Sequence, residues 1–222
     1  EKRRIDSLMA KAEKAEREAA KVKGSAIIHE TSRTRAVITG LARPSENTKT
    51  GAMAQTFILK QEYPSRDVKG AGCAGCPVWD ECYVNWGQAP ASVHRAAQAD
   101  RYAYLGADEK ASLASVPLRV GSAGEPTAIP AKVWTALLKI TPNWTGYTHK
   151  WRLPQFQQFK EFCMASVHSV AEAKEAWAMG WRTYRAGGEP EPDKGEIQCP
   201  HYTKGVQCAD CGLCKGAASK AK

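Results

Sequence analysis

The residues best suited to chemistry are cysteines, and seven of the eight fall in two stretches. One is Cys73-Ala-Gly-Cys76-Pro-Val-Trp-Asp-Glu-Cys82-Tyr-Val; the other is Cys199-Pro-His, followed by Cys208-Ala-Asp-Cys211-Gly-Leu-Cys214. Thiolates at such short steps bind soft metals, and in a reducing compartment that reading precedes structural disulfides. Cys73, Cys76 and Cys82 are one donor short of a closed tetrahedral zinc site, which Asp80, His94 or a distant cysteine would complete. They equally suit a [4Fe-4S] cluster with one iron left open. Cys199, Cys208, Cys211 and Cys214 form a full four-thiolate set, and the x2-x2 spacing of the last three is that of loops wrapping one cuboidal cluster. Zinc ribbons more often use two separated Cys-x-x-Cys knuckles. Iron–sulfur is the first expectation; zinc and free redox thiols are the alternatives. Cys163, alone in an apolar run, reads as a small buried hydrophobe.

The elements that must position these thiols follow from apolar periodicity and turn residues. Residues 1–25 are rich in Ala, Lys and Glu and read as an exposed charged helix ending at Gly24-Ser25. A strand is expected at 36–42 and another at 53–59, joined by the polar loop Arg43 to Gly51. Asn47-Thr-Lys-Thr-Gly lacks the glycine spacing of a P-loop, which leaves Lys49 as an anion-binding candidate facing the site. The first cysteine group occupies an irregular loop, and a helical pattern runs from about Pro90 to Tyr104. Strands at 116–121, 144–149, 162–166, 181–186 and 196–199 then alternate with helices at 130–138, 155–161 and 170–179, with Pro130 opening one and Gly180 closing another. This alternation is that of βαβ units. It predicts an α/β fold: a partial (β/α)6 barrel of mostly parallel strands, or a doubly wound sheet. The expected organisation is an N-terminal helix over 1–25, the α/β body over 26–200 and a Cys-rich loop with a basic tail over 201–222.

Parallel α/β architectures gather their chemistry at the C-terminal ends of strands. Those ends here carry the first cysteine loop, Gly121 to Glu125, His149, Ser166 with His168, Arg185, and Cys199 with His201. On this strand order the two cysteine groups share one rim and bracket a single site. Taken singly, each histidine could be an ordinary hydrogen-bonding group and Arg185 could pair with a carboxylate.

Composition narrows the classes. The chain has 222 residues, is 43% hydrophobic and carries a formal charge of +9. About +3 sits on each terminal segment, so basic tails account for most of the charge and a nucleic-acid partner is one expectation among others. No eighteen-residue apolar run and no signal-like apolar core occur, so a cytoplasmic protein with no membrane partner is expected.

A cysteine triplet after one strand and Gly121-Ser-Ala-Gly124-Glu125-Pro126 at the end of the next resemble the radical S-adenosylmethionine (radical SAM) superfamily. Members usually space the triplet Cys-x3-Cys-x2-Cys, against Cys-x2-Cys-x5-Cys here. Lys-Thr-Gly-x-Met at 49–53, Cys-Tyr-Val-Asn at 82–85, Thr-Gly-Tyr-Thr-His at 145–149, Met-Ala-Ser at 164–166 and Gly-Trp-Arg-Thr at 180–183 look like an uncharacterised family of phage proteins. That likeness spans about 36–216. It implies a phage-encoded protein of the host cytoplasm, with S-adenosylmethionine as cofactor and an electron donor if it is an enzyme. Cys73, Cys76 and Cys82 would then hold the cofactor-cleaving [4Fe-4S] cluster. Gly121, Gly124 and Glu125 would hold the methionine end, and His149, Ser166 and Arg185 would contact ribose, carboxylate or substrate. Cys199, Cys208, Cys211 and Cys214 would hold an auxiliary cluster. A nucleic acid or nucleotide is the expected substrate. A non-catalytic zinc module and an iron–sulfur redox or sensor protein are the competing functions.

Overall fold

The structure, a computed structural model, describes residues 2–19, 21–186 and 193–218. Its centre is an open eight-stranded sheet, mostly parallel, with helices packed against it. Helix α1 (Lys2–Ala19) leads into β1 (Ala26–Glu30), β2 (Thr34–Thr39) and β3 (Ala54–Lys60). The cysteine loop and α2 (Ala89–Gln98) follow, then β4 (Ala103–Tyr104), α3 (Ala107–Leu113) and β5 (Leu118–Ala123). Next come α4 (Ala131–Leu138), β6 (Trp144–Thr148), a 3₁₀ segment (Pro154–Glu161), β7 (Met164–Val167), α5 (Val170–Ala178) and β8 (Thr183–Arg185). Short helices α6 (Pro200–Lys204) and α7 (Cys208–Cys211) carry the second cysteine group.

Strand order is β4-β1-β2-β3-β5-β6-β7-β8. β1, β2 and β3 form an antiparallel meander, whereas β3, β5, β6, β7 and β8 are parallel neighbours in chain order. The parallel steps after β5 are spanned in turn by a 3₁₀ turn (Pro126–Ala128) with α4, by the 3₁₀ segment, and by α5, as βαβ crossovers require. Caps set the boundaries: Ser169 Oγ accepts the Glu172 N–H at 3.1 Å to open α5, and Gly180, at φ 79°, terminates it.

Two layers of core flank the sheet. Ile58, Leu118, Val120, Ala165 and Val167 pack with Trp134 and Leu137 of α4 and with Ala173 and Ala176 of α5. The opposite face packs Ile27, Val37, Phe57 and Leu59 against Val93 and Ala97 of α2, and against Trp86, Cys73 and Cys82 of the cysteine loop. Beyond that cover, alternation puts Arg119, Thr145, Tyr147, Ser166 and Tyr184 on this second, site-bearing face.

Five strand expectations coincide with β3, β5, β6, β7 and β8, and a sixth with β2. Residues 196–199 are a correction: no strand forms there, and the segment runs as coil into α6. The helical pattern expected to Tyr104 stops at Gln98, and residues 103–104 pair in parallel with β1 as the edge strand. Asp100, at φ 52°, makes the left-handed turn that separates them. Among the described residues no helix is long and apolar enough to cross a membrane. Lys220 and Lys222 of the expected basic tail lie outside the described residues.

Candidate functional site

The first cysteine group is stitched between the ends of two parallel strands. The Ala71 N–H donates to the Ile58 carbonyl at 3.0 Å, and the Glu125 N–H donates to the Ala71 carbonyl at 3.0 Å, joining the loop to β3 and to the end of β5. Turns with Gly72 at φ 76° and Gly75 at φ 68° then reverse the chain around Cys73 and Cys76. Lys150, just past β6, donates to the Ala74 carbonyl at 2.7 Å and clips the loop to a third strand end. Burial pushes the Cys73 thiol up to about 12, with the negative charge of Glu125, Cys76 and Cys82 adding to it and Lys150 opposing it. The Cys76 thiol is raised by burial too, with Glu125 and Cys82 contributing. The charge of Cys76 and Cys82 reaches Cys73, and that of Cys82 reaches Cys76, so the three thiols share one neighbourhood in which a cationic metal would offset their charge. His94 is committed elsewhere: its Nε2 pairs with the Gln61 carbonyl at 3.0 Å.

Gly121 and Gly124 have structural duties. At Gly121, φ is 69°, and residues 120–122 bulge so that Gln55 faces Arg119 while Phe57 faces Ala123. The Thr56 hydroxyl fills the bulge, donating to the Arg119 carbonyl at 2.8 Å and accepting the Gly121 N–H at 2.7 Å. Gly124 lies so close to β3 that an added Cβ would come within 2.1 Å of the Ile58 carbonyl oxygen.

Glu125 is 6% exposed, and burial raises its carboxyl pKa, while the Thr148 hydroxyl and the His149 and Thr127 amides pull the other way. Its Oε2 accepts the His149 N–H at 3.2 Å; Oε1 is buried without a partner among the described residues. His149 and His168 stack in parallel, ring centres 5.4 Å apart and 4° from coplanar. His168 Nδ1 pairs with the Ala186 carbonyl at 3.1 Å, so it is the donor and Nε2 carries the lone pair. Both Nε2 atoms are buried without partners among the described residues. Burial lowers the His149 pKa to about 4, helped by the adjacent His168 and Lys150. Ser166 is buried on β7, and Arg185 is held by Glu196 through Nε to Oε1 at 2.9 Å and Nη2 to Oε2 at 2.7 Å.

The second group lies at the other end of the strands. Cys208 and Ala209 donate backbone N–H bonds to the Lys49 and Thr50 carbonyls at 3.0 and 2.9 Å, just before β3. Asn143, before β6, donates to the Ala209 carbonyl at 2.9 Å, and Arg182, before β8, donates to the Leu213 carbonyl at 2.8 Å. The expected common rim is therefore corrected. With no strand at 196–199, the chain leaves the Arg185–Glu196 pair at the C-terminal ends and returns to the N-terminal ends. Burial pushes Cys214 up to about 11, relieved by the Tyr147 hydroxyl and reinforced by Cys208, Cys199 and Cys211. Burial and Cys199 likewise raise Cys208, so Cys199 keeps company with the downstream three. These four cysteines line a cavity of about 500 Å³ together with Tyr147 and Tyr184.

Two cations on this face were not legible as site residues or only weakly so. Lys49 donates to the hydroxyls of Tyr184 and Tyr202 at 3.2 and 3.0 Å. Arg119 donates to the Tyr83 hydroxyl, next to Cys82, at 2.8 Å. Both lower the pKa of Cys208, so Arg119 stands between the two cysteine groups. Its strand alternation was the one available signal. Among the described residues, no three His, Cys, Asp or Glu side chains are drawn together tightly enough to hold a metal ion. No family model matches the chain, and no curated protein or solved structure matches it.

Proposed function

We propose that this is an iron–sulfur protein related to the radical SAM superfamily, phage-encoded and working in the host cytoplasm, that modifies a nucleic acid or nucleotide. The observation that carries the reading is the division of seven thiols into a group of three and a group of four at opposite ends of one sheet face, with Arg119 between them. In this reading the five parallel strands β3, β5, β6, β7 and β8, one fewer than the expected (β/α)6 count because 196–199 is coil, curl into a partial barrel with the site face as its interior.

The donor chemistry fits the group. Cys73, Cys76 and Cys82 would hold a [4Fe-4S] cluster, leaving one iron for S-adenosylmethionine, and Cys199, Cys208, Cys211 and Cys214 would hold an auxiliary cluster. When bound, the cluster and its cofactor supply one-electron chemistry, fed by an external electron donor. The protein's part is to bind, orient and exclude water. The unpartnered Glu125 Oε1 is the acceptor for an amino group, and the unpartnered Nε2 atoms of His149 and His168 are hydrogen-bonding sites for hydroxyl groups. Lys49 and Arg119 offset the negative charge of ligated thiolates. Ser166 lines the same face, and Arg185 anchors the returning segment through Glu196.

Anaerobic purification with metal analysis tests this. Absorption at about 400 nm with about four or eight irons is expected, along with 5′-deoxyadenosine on reduction with S-adenosylmethionine. Cys82→Ala and Cys211→Ala should each remove one cluster only; loss of all iron from either change would refute two separate sites. Iron without 5′-deoxyadenosine would leave the redox or sensor function. Four thiols on a segment pinned by backbone bonds also meet the needs of a closed structural zinc site, and colourless protein with stoichiometric zinc would establish that alternative.

A further inference from the structure

Beside the first cysteine group is a small cavity of about 270 Å³ whose walls include Arg66, Lys69, Asn85, Trp86 and Cys82. Lys69 is 5% exposed, yet among the described residues it makes no hydrogen bond and no ion pair; its ammonium rests 4.4 Å from the centre of the Trp79 ring. Lysines so deeply buried are almost always paired, because an aromatic face replaces only part of the hydration lost. Trp86 is 4% exposed, and its indole N–H is buried without a partner among the described residues. A buried indole N–H ordinarily finds an acceptor. Asp80, also on the wall, is exposed and makes no ion pair with either cation among the described residues. The cavity is thus walled by a lysine, an arginine, a tryptophan and an asparagine, and its one carboxylate belongs to the exposed Asp80.

We infer that this cavity is an oxyanion site that takes the phosphate group of a nucleotide or nucleic-acid strand, with Lys69 and Arg66 supplying charge and the Trp86 N–H supplying direction. Charge-assisted bonds to a tetrahedral oxyanion would satisfy Lys69 and Trp86 together. At about 270 Å³ the cavity has ample room for a phosphate group and its ester oxygen. The source of the phosphate rests on the substrate reading above; the site rests on its own residues.

Calorimetric titration of the full chain, in buffer free of other oxyanions, tests the inference with inorganic phosphate and with a four-nucleotide single strand. Saturable binding of both is expected, the strand tighter and displaced by phosphate. Lys69→Met should weaken phosphate binding by about tenfold or more, the scale of one buried charge-assisted contact. Arg66→Ala, on an exposed side chain, should weaken it less. Trp86→Phe keeps the ring, deletes the N–H and supplies a second reading should Lys69→Met not fold; a loss of about threefold to tenfold is expected. No saturable response of the wild type to phosphate, or unchanged affinity in folded Lys69→Met or Trp86→Phe, overturns the site. Phosphate binding without competition from the strand overturns the nucleotide source. Iron content and 5′-deoxyadenosine yield, measured on the same variants, fail separately if the cluster reading is wrong.

Discussion

Replacing Gly124 by alanine tests how the cysteine loop is held to the sheet. Gly124 sits at φ 88°, and an added Cβ would lie 2.1 Å from the Ile58 carbonyl oxygen and 2.8 Å from the Ile58 Cβ. Gly70 approaches from the loop side, its own added Cβ falling 2.6 Å from the Gly124 Cα, so neither backbone has room to retreat. The left-handed conformation costs an alanine about 1 to 2 kcal/mol, and overpacking adds about 1 to 3 kcal/mol. The total is about 2 to 5 kcal/mol of lost stability. Gly205→Ala is the internal control: φ is 68° there and nothing lies within 4 Å of the added Cβ, so only the conformational cost applies. Urea unfolding of reduced, metal-free protein, followed by circular dichroism, reads both. Gly124→Ala should be the more destabilised by about 1 to 3 kcal/mol. Equal losses would refute the close approach, and would return Gly124 to a purely cofactor-related role.

His149 has a folded-state pKa of about 4 against an ordinary 6.5, so the unfolded chain takes up a proton that the fold refuses; stability should fall as pH drops from 6.5 to about 4 and level off below. His149→Gln should flatten that part of the pH–stability curve, and an unchanged slope would refute the assignment. Cys163 is fully buried with its thiol pushed well above the usual range, so native protein alkylated at pH 8 should retain it unmodified in a peptide mass map, whereas unfolded protein should not. Lys49→Met removes a cation that lowers the Cys208 pKa and should slow alkylation of Cys208 in metal-free protein; an unchanged rate would show that the ammonium does not reach that thiol.

Local signals in the sequence located the repeating part of the sheet. The β5-α4-β6 unit was legible because Pro130 starts its helix and apolar runs bound its strands, and α5 because Gly180 closes its alanine-rich run; the Ser169 cap emerged with the structure. β1 was harder to see: Ala26-Ile-Ile is a short apolar run, and the strand is secured by ladders to β2 and β4 that local composition does not encode. Glu125, His149 and Ser166 could be placed at or near strand ends from the sequence because strand ends are visible in a βαβ pattern. Arg119 was missed because a mid-strand arginine carries no motif; its position matters only through Tyr83 and Cys208, which lie on other segments.

The sequence by itself determined that Cys73, Cys76 and Cys82 form one group and Cys208, Cys211 and Cys214 another, since close spacing is a property of neighbours along the chain; it left open which group Cys199 joins. It also located the strands that became β5 to β8 and the helices between them, while leaving their neighbour order open between a partial barrel and a doubly wound sheet. Only the tertiary structure decided where the second group goes. The Arg185–Glu196 pair turns the chain back at one end of the sheet, and the bonds of Cys208 and Ala209 to Lys49 and Thr50 fix it at the other. The bonds to Lys49 and Thr50 join segments far apart in sequence, so no local pattern records them, and they hold the second cysteine group at the end of the face opposite the first.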